Sequence, residues 1–378
     1  MREKDIFIVA DNVFSPLGKT TAANFLKLKE NISAVKQHSN TKLSTLPFFA
    51  SLFDENTQFI EDDKHAYTKF EQLLIASIAD ALQGAETNAS DKKTVLIISS
   101  TKGNISLLEN EPVSAELKKR IALSTSAKLV AGHFGFVNKP VIISNACISG
   151  VLGIITGMRL LRSGEYETAI IAGADVISKF ILSGFQSFQA LSPQLCKPFD
   201  IAHDGLNLGE GAGTIILSAN KKYAGSIKVK GGSVSNDANH ISGPSRTGQE
   251  LAGAITTAVK DAGILTTEIG FISAHGTATV YNDEMEANAL SISGLQAIPL
   301  NSLRGYYGHT LGAAGLIESI ISIQSLKQNY FLPALGFEKA ATGSQVNVCS
   351  APMQITANNI LKTASGFGGC NAAVVFGK

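Results

Sequence analysis

Cys147 lies in the stretch VIISNACISGVLGIITGMRLL, at the turn between a predicted short strand and a predicted helix. The β-branched run 141–143 suits a buried strand, and small and apolar residues then follow at helical spacing to Arg159. A thiol at the start of a helix faces unpaired backbone N–H groups and the positive end of the helix dipole, which favour the reactive thiolate. The position therefore predicts a nucleophile, although a lone cysteine among apolar residues also suits a small buried side chain.

Two of the seven histidines, His275 and His309, each follow a predicted buried strand in a glycine-rich turn. Alone, each would suit a structural histidine with satisfied hydrogen bonds. Together with a cysteine on a third turn, they predict thiol chemistry combined with polarisation of a substrate oxygen or carboxylate. Cysteine hydrolases also pair Cys with His, so this pattern by itself leaves that class open.

The elements that must position these side chains alternate between strand and helix, which favours a parallel or mixed sheet covered by helices. Segment 297–324 repeats the design around Cys147: a buried strand, a turn with a reactive side chain and a glycine-spaced apolar helix. The glycine-rich run 203–213 precedes a strand and no lysine directly follows it, so neither nucleotide-binding signature fits. Its glycines instead predict close approach of another backbone segment. Residues 37–64 are predicted to be irregular.

The composition excludes several classes of protein. The 32 basic and 31 acidic residues nearly cancel, which gives no global electrostatic case for nucleic acid or an anionic membrane surface. Segment 141–158 carries no charge, but serine, asparagine and glycine interrupt it, and its length is at the lower limit for a membrane span. The apolar run before Asp11 is too short for a signal peptide, so a cytoplasmic location is expected.

The four cysteines, none of them in a CxxC pair, argue against a disulfide framework and against a structural zinc site. All four are therefore predicted to be free thiols. At 378 residues the chain can bury a core large enough for one big domain or two closely packed halves.

In their order along the chain, these motifs resemble those of the β-ketoacyl-acyl carrier protein synthases, the condensing enzymes of the thiolase superfamily, and in particular their elongating Cys-His-His branch. The resemblance covers nearly the whole chain. The matching segments are 15–18 (SPLG), 145–147 (NAC), 198–213 (PFD through GEGAG), 275–279 (HGTAT), 282–283 (ND), 308–315 (GHTLGAAG) and 366–369 (GFGG).

The resemblance implies that Cys147 is the nucleophile that takes an acyl group from a carrier-protein thioester. His275 and His309 would hold the malonyl thioester and stabilise the enolate that forms as carbon dioxide leaves. The backbone N–H groups of Cys147 and Phe367 would form the oxyanion hole for acyl transfer, and Phe367 would also gate the entry of the acyl chain. This chemistry implies no metal and no organic cofactor.

Several positions depart from the family pattern. Arg304 stands where the family usually has a lysine, and Glu286 matches the acidic residue that typically pairs with it, so a supporting Arg304–Glu286 pair is predicted. Arginine keeps the charge but adds bulk and a planar fork. The other departures are Ile148 for a small residue, His203 for arginine, Ala278 for glycine and Ser365 for phenylalanine. These changes favour a substrate other than an ordinary fatty acid.

The resemblance further implies a five-layer αβαβα thiolase-like fold made of two pseudo-symmetric halves, 1–220 with the nucleophile and 221–378 with the two histidines. The implied reaction is decarboxylative Claisen condensation of an acyl primer with malonyl-acyl carrier protein, in fatty acid or specialised polyketide or polyene synthesis. The implied partners are acyl carrier protein and a second subunit, in a homodimer or a heterodimer with a related synthase. The alternatives are a catalytically silent partner subunit that shapes the pocket of a true synthase, and a non-decarboxylating acyltransferase.

Overall fold

A computed structural model describes residues 4–61, 66–239, 241–340 and 342–378. In this part of the chain the strands are β1 (Phe7–Phe14), β2 (Lys36–His38), β3 (Phe48–Ser51), β4 (Thr94–Ser99), β5 (Val141–Ile143), β6 (Thr168–Asp175), β7 (Leu208–Gly209), β8 (Gly211–Ser218), β9 (Lys228–Asn236), β10 (Ile269–Ser273), β11 (Leu300–Asn301), β12 (Tyr330–Phe331), β13 (Met353–Gln354), β14 (Asn359–Gly366) and β15 (Cys370–Gly377). The helices are α1 (Thr21–Lys29), α2 (Lys69–Gln83), α3 (Ala115–Ile121), α4 (Leu123–His133), α5 (Ser149–Arg162), α6 (Lys179–Ser187), α7 (Gln249–Asp261), α8 (Val280–Ile292), α9 (Arg304–Tyr307) and α10 (Ala314–Gln328).

The main sheet has ten strands in the order β11-β10-β14-β15-β9-β1-β8-β6-β4-β5. Its two five-stranded parts repeat one pairing pattern. In the first part β8 is antiparallel to both β1 and β6, and β6, β4 and β5 are parallel. In the second part β15 is antiparallel to both β9 and β14, and β14, β10 and β11 are parallel. This repetition confirms the predicted mixed α/β fold of two similar halves, which the β1–β9 contact joins into one sheet.

Helices cover both parts of the sheet and also lie between them. Helix α2 packs on β1, β6 and β8, whereas α7 packs on β9 and β15. Helices α5 and α10 lie in the middle, since α5 contacts β6 and β15 and α10 contacts β8 and β14. The predicted five layers are therefore present, with a buried helix pair at the centre.

Glycines allow the two central helices to approach until backbone meets backbone. A Cβ atom on Gly150 of α5 would lie 2.6 Å from the backbone nitrogen of Leu316 on α10, and one on Gly315 would lie 2.6 Å from Cγ2 of Val151. No side chain fits at such distances, so glycine is required there. The turns that precede the two helices, which carry Cys147 and His309, are consequently held side by side.

The structure differs from the sequence-based expectation at a few elements. Helices α3, α4 and α6 and strand β14 were not predicted, and the turn expected at 304–309 begins as the short helix α9. The segment 37–64, predicted to be irregular, contains most of β2 and all of β3, while its residues 62–64 lie outside the described part of the chain. Strand β14 escaped prediction because Lys362, Thr363 and Ser365 interrupt its apolar pattern.

All four cysteines are buried free thiols, as predicted. Across the described residues, no helix is both long and apolar enough to cross a membrane.

Candidate active site

Cys147 lies in the turn between β5 and α5, two residues before the helix begins, as the sequence predicted. The preceding residue, Ala146, has a φ angle of +45°, a left-handed conformation that costs free energy for a residue other than glycine. The Ser149 hydroxyl holds this turn, because it donates to the carbonyl of Ala146 at 2.7 Å and accepts from the amide of Asn145 at 2.8 Å. The turn therefore places the thiol in the lining of a cavity.

The three residues predicted to be catalytic converge in this cavity. Nε2 of His309 lies 3.0 Å from Sγ of Cys147. The rings of His275 and His309 are perpendicular, with centroids 5.6 Å apart. His275 follows β10 and His309 follows α9, so three separate turns contribute one side chain each. Both imidazoles are almost completely buried.

The glycine-rich run 203–213 packs against the backbone of the turn that carries His309. A Cβ atom on Gly209 would lie 2.0 Å from the carbonyl oxygen of Tyr307, and one on Gly308 would lie 2.4 Å from that of Leu208. The amide of His309 donates to the carbonyl of Asn207 at 2.6 Å. The predicted close approach of two backbone segments is thus confirmed. These contacts fix the position of the His309 backbone.

Arg304 is fully buried and binds both histidines with its guanidinium fork. Nη1 lies 2.8 Å from Nδ1 of His309, and Nη2 lies 2.9 Å from Nδ1 of His275. A guanidinium group can only donate hydrogen bonds, so both Nδ1 atoms must be acceptors. A neutral imidazole that accepts at Nδ1 carries its proton on Nε2. Arg304 therefore fixes both histidines as Nε2–H donors directed into the cavity beside Cys147.

This tautomer decides whether the three side chains suit a metal ion. The sulfur of Cys147 and one ring nitrogen from each of His275 and His309 lie within 4.8 Å of one another, a spacing that could hold a metal. A nitrogen that carries a proton has no free lone pair to give to a metal. The donor set that Arg304 imposes therefore suits a substrate oxygen, which accepts hydrogen bonds, and does not suit a cation.

The predicted pair between Arg304 and Glu286 is wrong. The carboxylate that binds Arg304 is Glu318 on α10, with Oε1 at 2.9 Å from Nη1. Glu286 instead accepts hydrogen bonds from the amides of His275 and Gly276, both at 2.8 Å, and one from Thr363 Oγ1 at 2.6 Å. The carboxylate of Glu286 thus supports the His275 turn by binding the backbone amides of that turn.

Burial controls the protonation of the site. It raises the pKa of the Cys147 thiol to about 12, although the Arg304 charge acts in the opposite direction. The resting cysteine is therefore a thiol, and the expectation that the helix start would favour the thiolate is wrong because burial outweighs it. Burial lowers the pKa of His275 and of His309 well below the usual value, and the positive charges of Arg304 and Lys362 add to this effect. Both imidazoles are neutral at physiological pH.

Phe367 stands where the cavities of the site meet. Its ring is stacked on Phe185 at 5.8 Å and meets the edge of Phe188 at 5.5 Å. On one side is the cavity with Cys147, His275 and His309, and on the other is an apolar cavity of about 330 Å³ that contains Phe180, Phe185, Phe188 and Leu311. The backbone of Phe367 acts to lower the pKa of the Cys147 thiol, against the larger effect of burial. This is the location expected for a gate and for a donor of an oxyanion hole.

The other positions that depart from the family pattern have defined surroundings. Nδ1 of His203 lies 3.3 Å from Oδ2 of Asp283, and Ala278 has a φ angle of +60° that glycine would adopt without strain. Ile148 is part of the central core. Ser365 lines the cavity of the three reactive side chains and donates to Asn371 Oδ1 at 2.7 Å.

Sequence reasoning missed three buried groups that support the site. Glu318 binds Arg304, Lys362 binds Glu318, and Asp175 accepts hydrogen bonds from the amides of Thr101 and Gly312. Glu318 had a visible signal, since it is the only charge in the apolar run 312–324. Lys362 and Asp175 had none, because each is a single charged residue in a strand outside any recognised motif.

We expect Arg304→Met to lower the free energy of unfolding by about 3 to 5 kcal/mol, because Glu318 loses a buried cationic partner. Urea unfolding of Arg304→Met, Glu318→Gln and the double variant measures the coupling of the two residues. The free-energy changes of Arg304→Met and Glu318→Gln should not add up in the double variant, whereas those of Arg304→Met and Glu286→Gln should add up. Additivity with Glu318→Gln and non-additivity with Glu286→Gln would instead support the Arg304–Glu286 pair.

The repeated half-sheets and the central helix pair define the class as thiolase-like. Within that class, the chain belongs to the beta-ketoacyl synthase family: residues 4–222 match the beta-ketoacyl synthase N-terminal domain and residues 227–338 match the beta-ketoacyl synthase C-terminal domain.

Similar proteins share this architecture over the full length. The chain is 28% identical over 414 aligned positions to 3-oxoacyl-[acyl-carrier-protein] synthase 2 of Vibrio harveyi, covering 100% of this chain and 99% of the relative. The solved ishigamide ketosynthase/chain length factor has a TM-score of 0.90 at 23% identity and covers 100% of this chain and 99% of its own. A type II PKS ketosynthase bound to its acyl-carrier protein has a TM-score of 0.86 at 20% identity, with 100% of both chains covered. At these identities the solved structures show the fold alone.

Proposed function

We propose that this protein catalyses the decarboxylative Claisen condensation of an acyl primer with malonyl-acyl carrier protein, giving a 3-oxoacyl-acyl carrier protein. The observation that carries the proposal is the convergence of a thiol and two Nε2–H donors in one cavity. One group can form a covalent acyl intermediate, and the other two can stabilise a negative oxygen. Relatives named 3-oxoacyl-[acyl-carrier-protein] synthase, similar over their whole length, support the assignment.

In the first half-reaction the sulfur of Cys147 attacks the carbonyl carbon of the primer thioester. A bond forms between this carbon and the sulfur, the bond to the carrier thiol breaks, and the proton of Cys147 ends on the departing carrier thiolate. Nε2–H of His309 lies 3.0 Å from the sulfur, and the backbone of Phe367 acts to lower the pKa of the thiol. These donors offset part of the cost of developing negative charge in a buried site.

In the second half-reaction the malonyl thioester occupies the cavity of the two histidines. The bond to the carboxylate carbon breaks, carbon dioxide leaves, and the electron pair forms an enolate whose oxygen accepts hydrogen bonds from His275 and His309. The enolate carbon then forms a bond to the carbonyl carbon of the acyl group, the bond from that carbon to the sulfur of Cys147 breaks, and the departing thiolate takes up a proton from solvent. Fixed donors are effective here because they need no reorganisation as the charge develops.

Membership of the beta-ketoacyl synthase family also supports proposals about the domains, the partners and the pathway. We propose that residues 1–220 and 221–378 are the two functional halves, that acyl carrier protein delivers both substrates, and that the protein acts in the cytoplasm as a homodimer or with a related subunit. The pathway is fatty acid synthesis or specialised polyketide or polyene synthesis. The complete set of Cys147, His275 and His309 argues against a silent partner subunit.

The proposal is tested with purified protein, an acyl-carrier protein primer and malonyl-carrier protein labelled in the free carboxyl group. Release of labelled carbon dioxide together with a 3-oxoacyl product is the expected result. If an acyl-enzyme forms but no carbon dioxide is released, with or without a co-expressed synthase-like subunit, the protein is an acyltransferase.

A further inference from the structure

Lys362 is a fully buried lysine in the middle of β14, behind the two histidines. Its Nζ lies 2.7 Å from Oε2 of Glu318, 3.1 Å from the carbonyl oxygen of Ala274 and 3.3 Å from that of Ser273. Lysine is almost never fully buried unless it is paired, because removing an ammonium group from water is costly. Among the described residues, Lys362 is the one buried lysine, and its contacts lie next to the His275 turn.

The contacts of Lys362 lead to the catalytic side chains by two routes. Glu318 binds Lys362 with one carboxylate oxygen and Arg304 with the other, so the lysine helps to set the position of the carboxylate that holds the guanidinium fork. Ser273 and Ala274 immediately precede His275, and the lysine binds the carbonyl groups of both. Strand β14, helix α10 and the His275 turn are thus connected at a single ammonium group.

The charges around the two imidazoles show what this ammonium adds. Arg304 on α9 and Lys362 on β14 are the cations, Glu318 on α10 is the carboxylate between them, and Glu286 on α8 binds the backbone of the His275 turn. The thiol of Cys147 faces His309, while Asp175 and Asp283 bind the adjoining turns. With one carboxylate shared by two cations, positive charge predominates on the Nδ1 side of both rings.

We infer that Lys362 is a positioning residue for the condensation: through Glu318 it orients the fork of Arg304, and its charge keeps both imidazoles neutral as Nε2–H donors. This inference rests on the proposed function only for its kinetic consequence. Lys362 also contributes to the lowered pKa of both histidines, next to burial and Arg304.

The test compares Lys362→Met with the double variant Lys362→Met/Glu318→Gln. The single variant removes one positive charge, so the pKa of each imidazole should rise. The double variant removes one charge of each sign, so the pKa of each imidazole should return towards its value in the wild type. Nitrogen NMR of labelled histidines measures both titrations without any turnover, with signals assigned from His275→Gln and His309→Gln.

We expect Lys362→Met to raise the titration midpoints of His275 and His309 by about one pH unit, the size typical of a single nearby charge. The acidic limb of the rate of carbon dioxide release should move in the same direction, while acylation of Cys147 at pH 8 should be unchanged. Lys362→Gln, which keeps hydrogen-bond donors but loses the charge, should behave in the same way if the methionine variant does not fold.

Unchanged midpoints in a folded single variant would overturn the inference. A second result would also overturn it: a rate of carbon dioxide release that falls equally at all pH values and falls as much in the double variant. That result is expected of a lysine with a purely structural role. If the wild type releases no carbon dioxide, the proposed function fails, yet the NMR titrations still decide the role of Lys362.

Discussion

Cys147→Ala is expected to abolish both the acyl-enzyme and the condensation product. No other thiol faces the cavity of His275 and His309, since Cys196 and Cys349 do not line it and Cys370 donates its S–H group towards backbone carbonyls. Intact-protein mass after incubation with an acyl-carrier protein measures the acyl-enzyme, and the mass shift should be absent in the variant.

Cys349→Ala is the matched control for this experiment. Cys349 is also buried and free, and its S–H group points to the carbonyl of Ala351, away from the site. The control should acquire the acyl group like the wild type. Acylation that persists in Cys147→Ala and disappears in Cys349→Ala or Cys370→Ala would remove Cys147 from its role as the nucleophile.

His309→Ala is expected to separate the two half-reactions. The variant should still form an acyl-enzyme, although more slowly, because the sulfur remains and loses one hydrogen-bond donor. Decarboxylation should fall by a factor of about 100 to 1000, the usual cost of removing one oxyanion donor. The measurement is labelled carbon dioxide release from malonyl-carrier protein, run alongside intact-protein mass on the same samples.

His38→Ala provides the comparison for His309→Ala. His38 stacks on Phe48 in the small sheet of β2, β3 and β7 and does not line the reactive cavity. Its loss should leave both half-reactions unchanged. If His309→Ala loses acylation and decarboxylation in equal measure, His309 acts mainly on the sulfur and the assignment of an enolate donor is wrong.

The sequence alone was sufficient to single out Cys147, His275 and His309, because each lies in a turn beside segments whose apolar residues and glycines are visible in the pattern. It was not sufficient to pair the buried charges. Glu286 and Glu318 both lie within reach of the site, and only the fold shows that α10 presents Glu318 to Arg304. Lys362 was missed for a related reason, since a lysine in a strand normally indicates a solvent-facing position.

The expectation about the thiolate failed for a different physical reason. The helix start near Cys147 is real, but its effect on the pKa competes with desolvation, and the sequence does not reveal how completely a turn is covered. Here Phe367, Phe185 and the histidines enclose the sulfur. The resemblance to the condensing enzymes singled out three residues that the fold brings together, whereas the balance between burial and dipole depends on how the folded chain covers the turn.

The backbone contact between α5 and α10 has a consequence for how such chains diverge. The alignment with the Vibrio harveyi relative extends over 414 positions for a chain of 378 residues, so the two proteins differ by insertions or deletions. Two glycine contacts at the centre of the molecule hold together the turns that carry Cys147 and His309, and the backbone of 207–209 holds the His309 turn as well. A side chain at Gly150 or Gly315 would therefore push apart the two turns of the site without touching either reactive group.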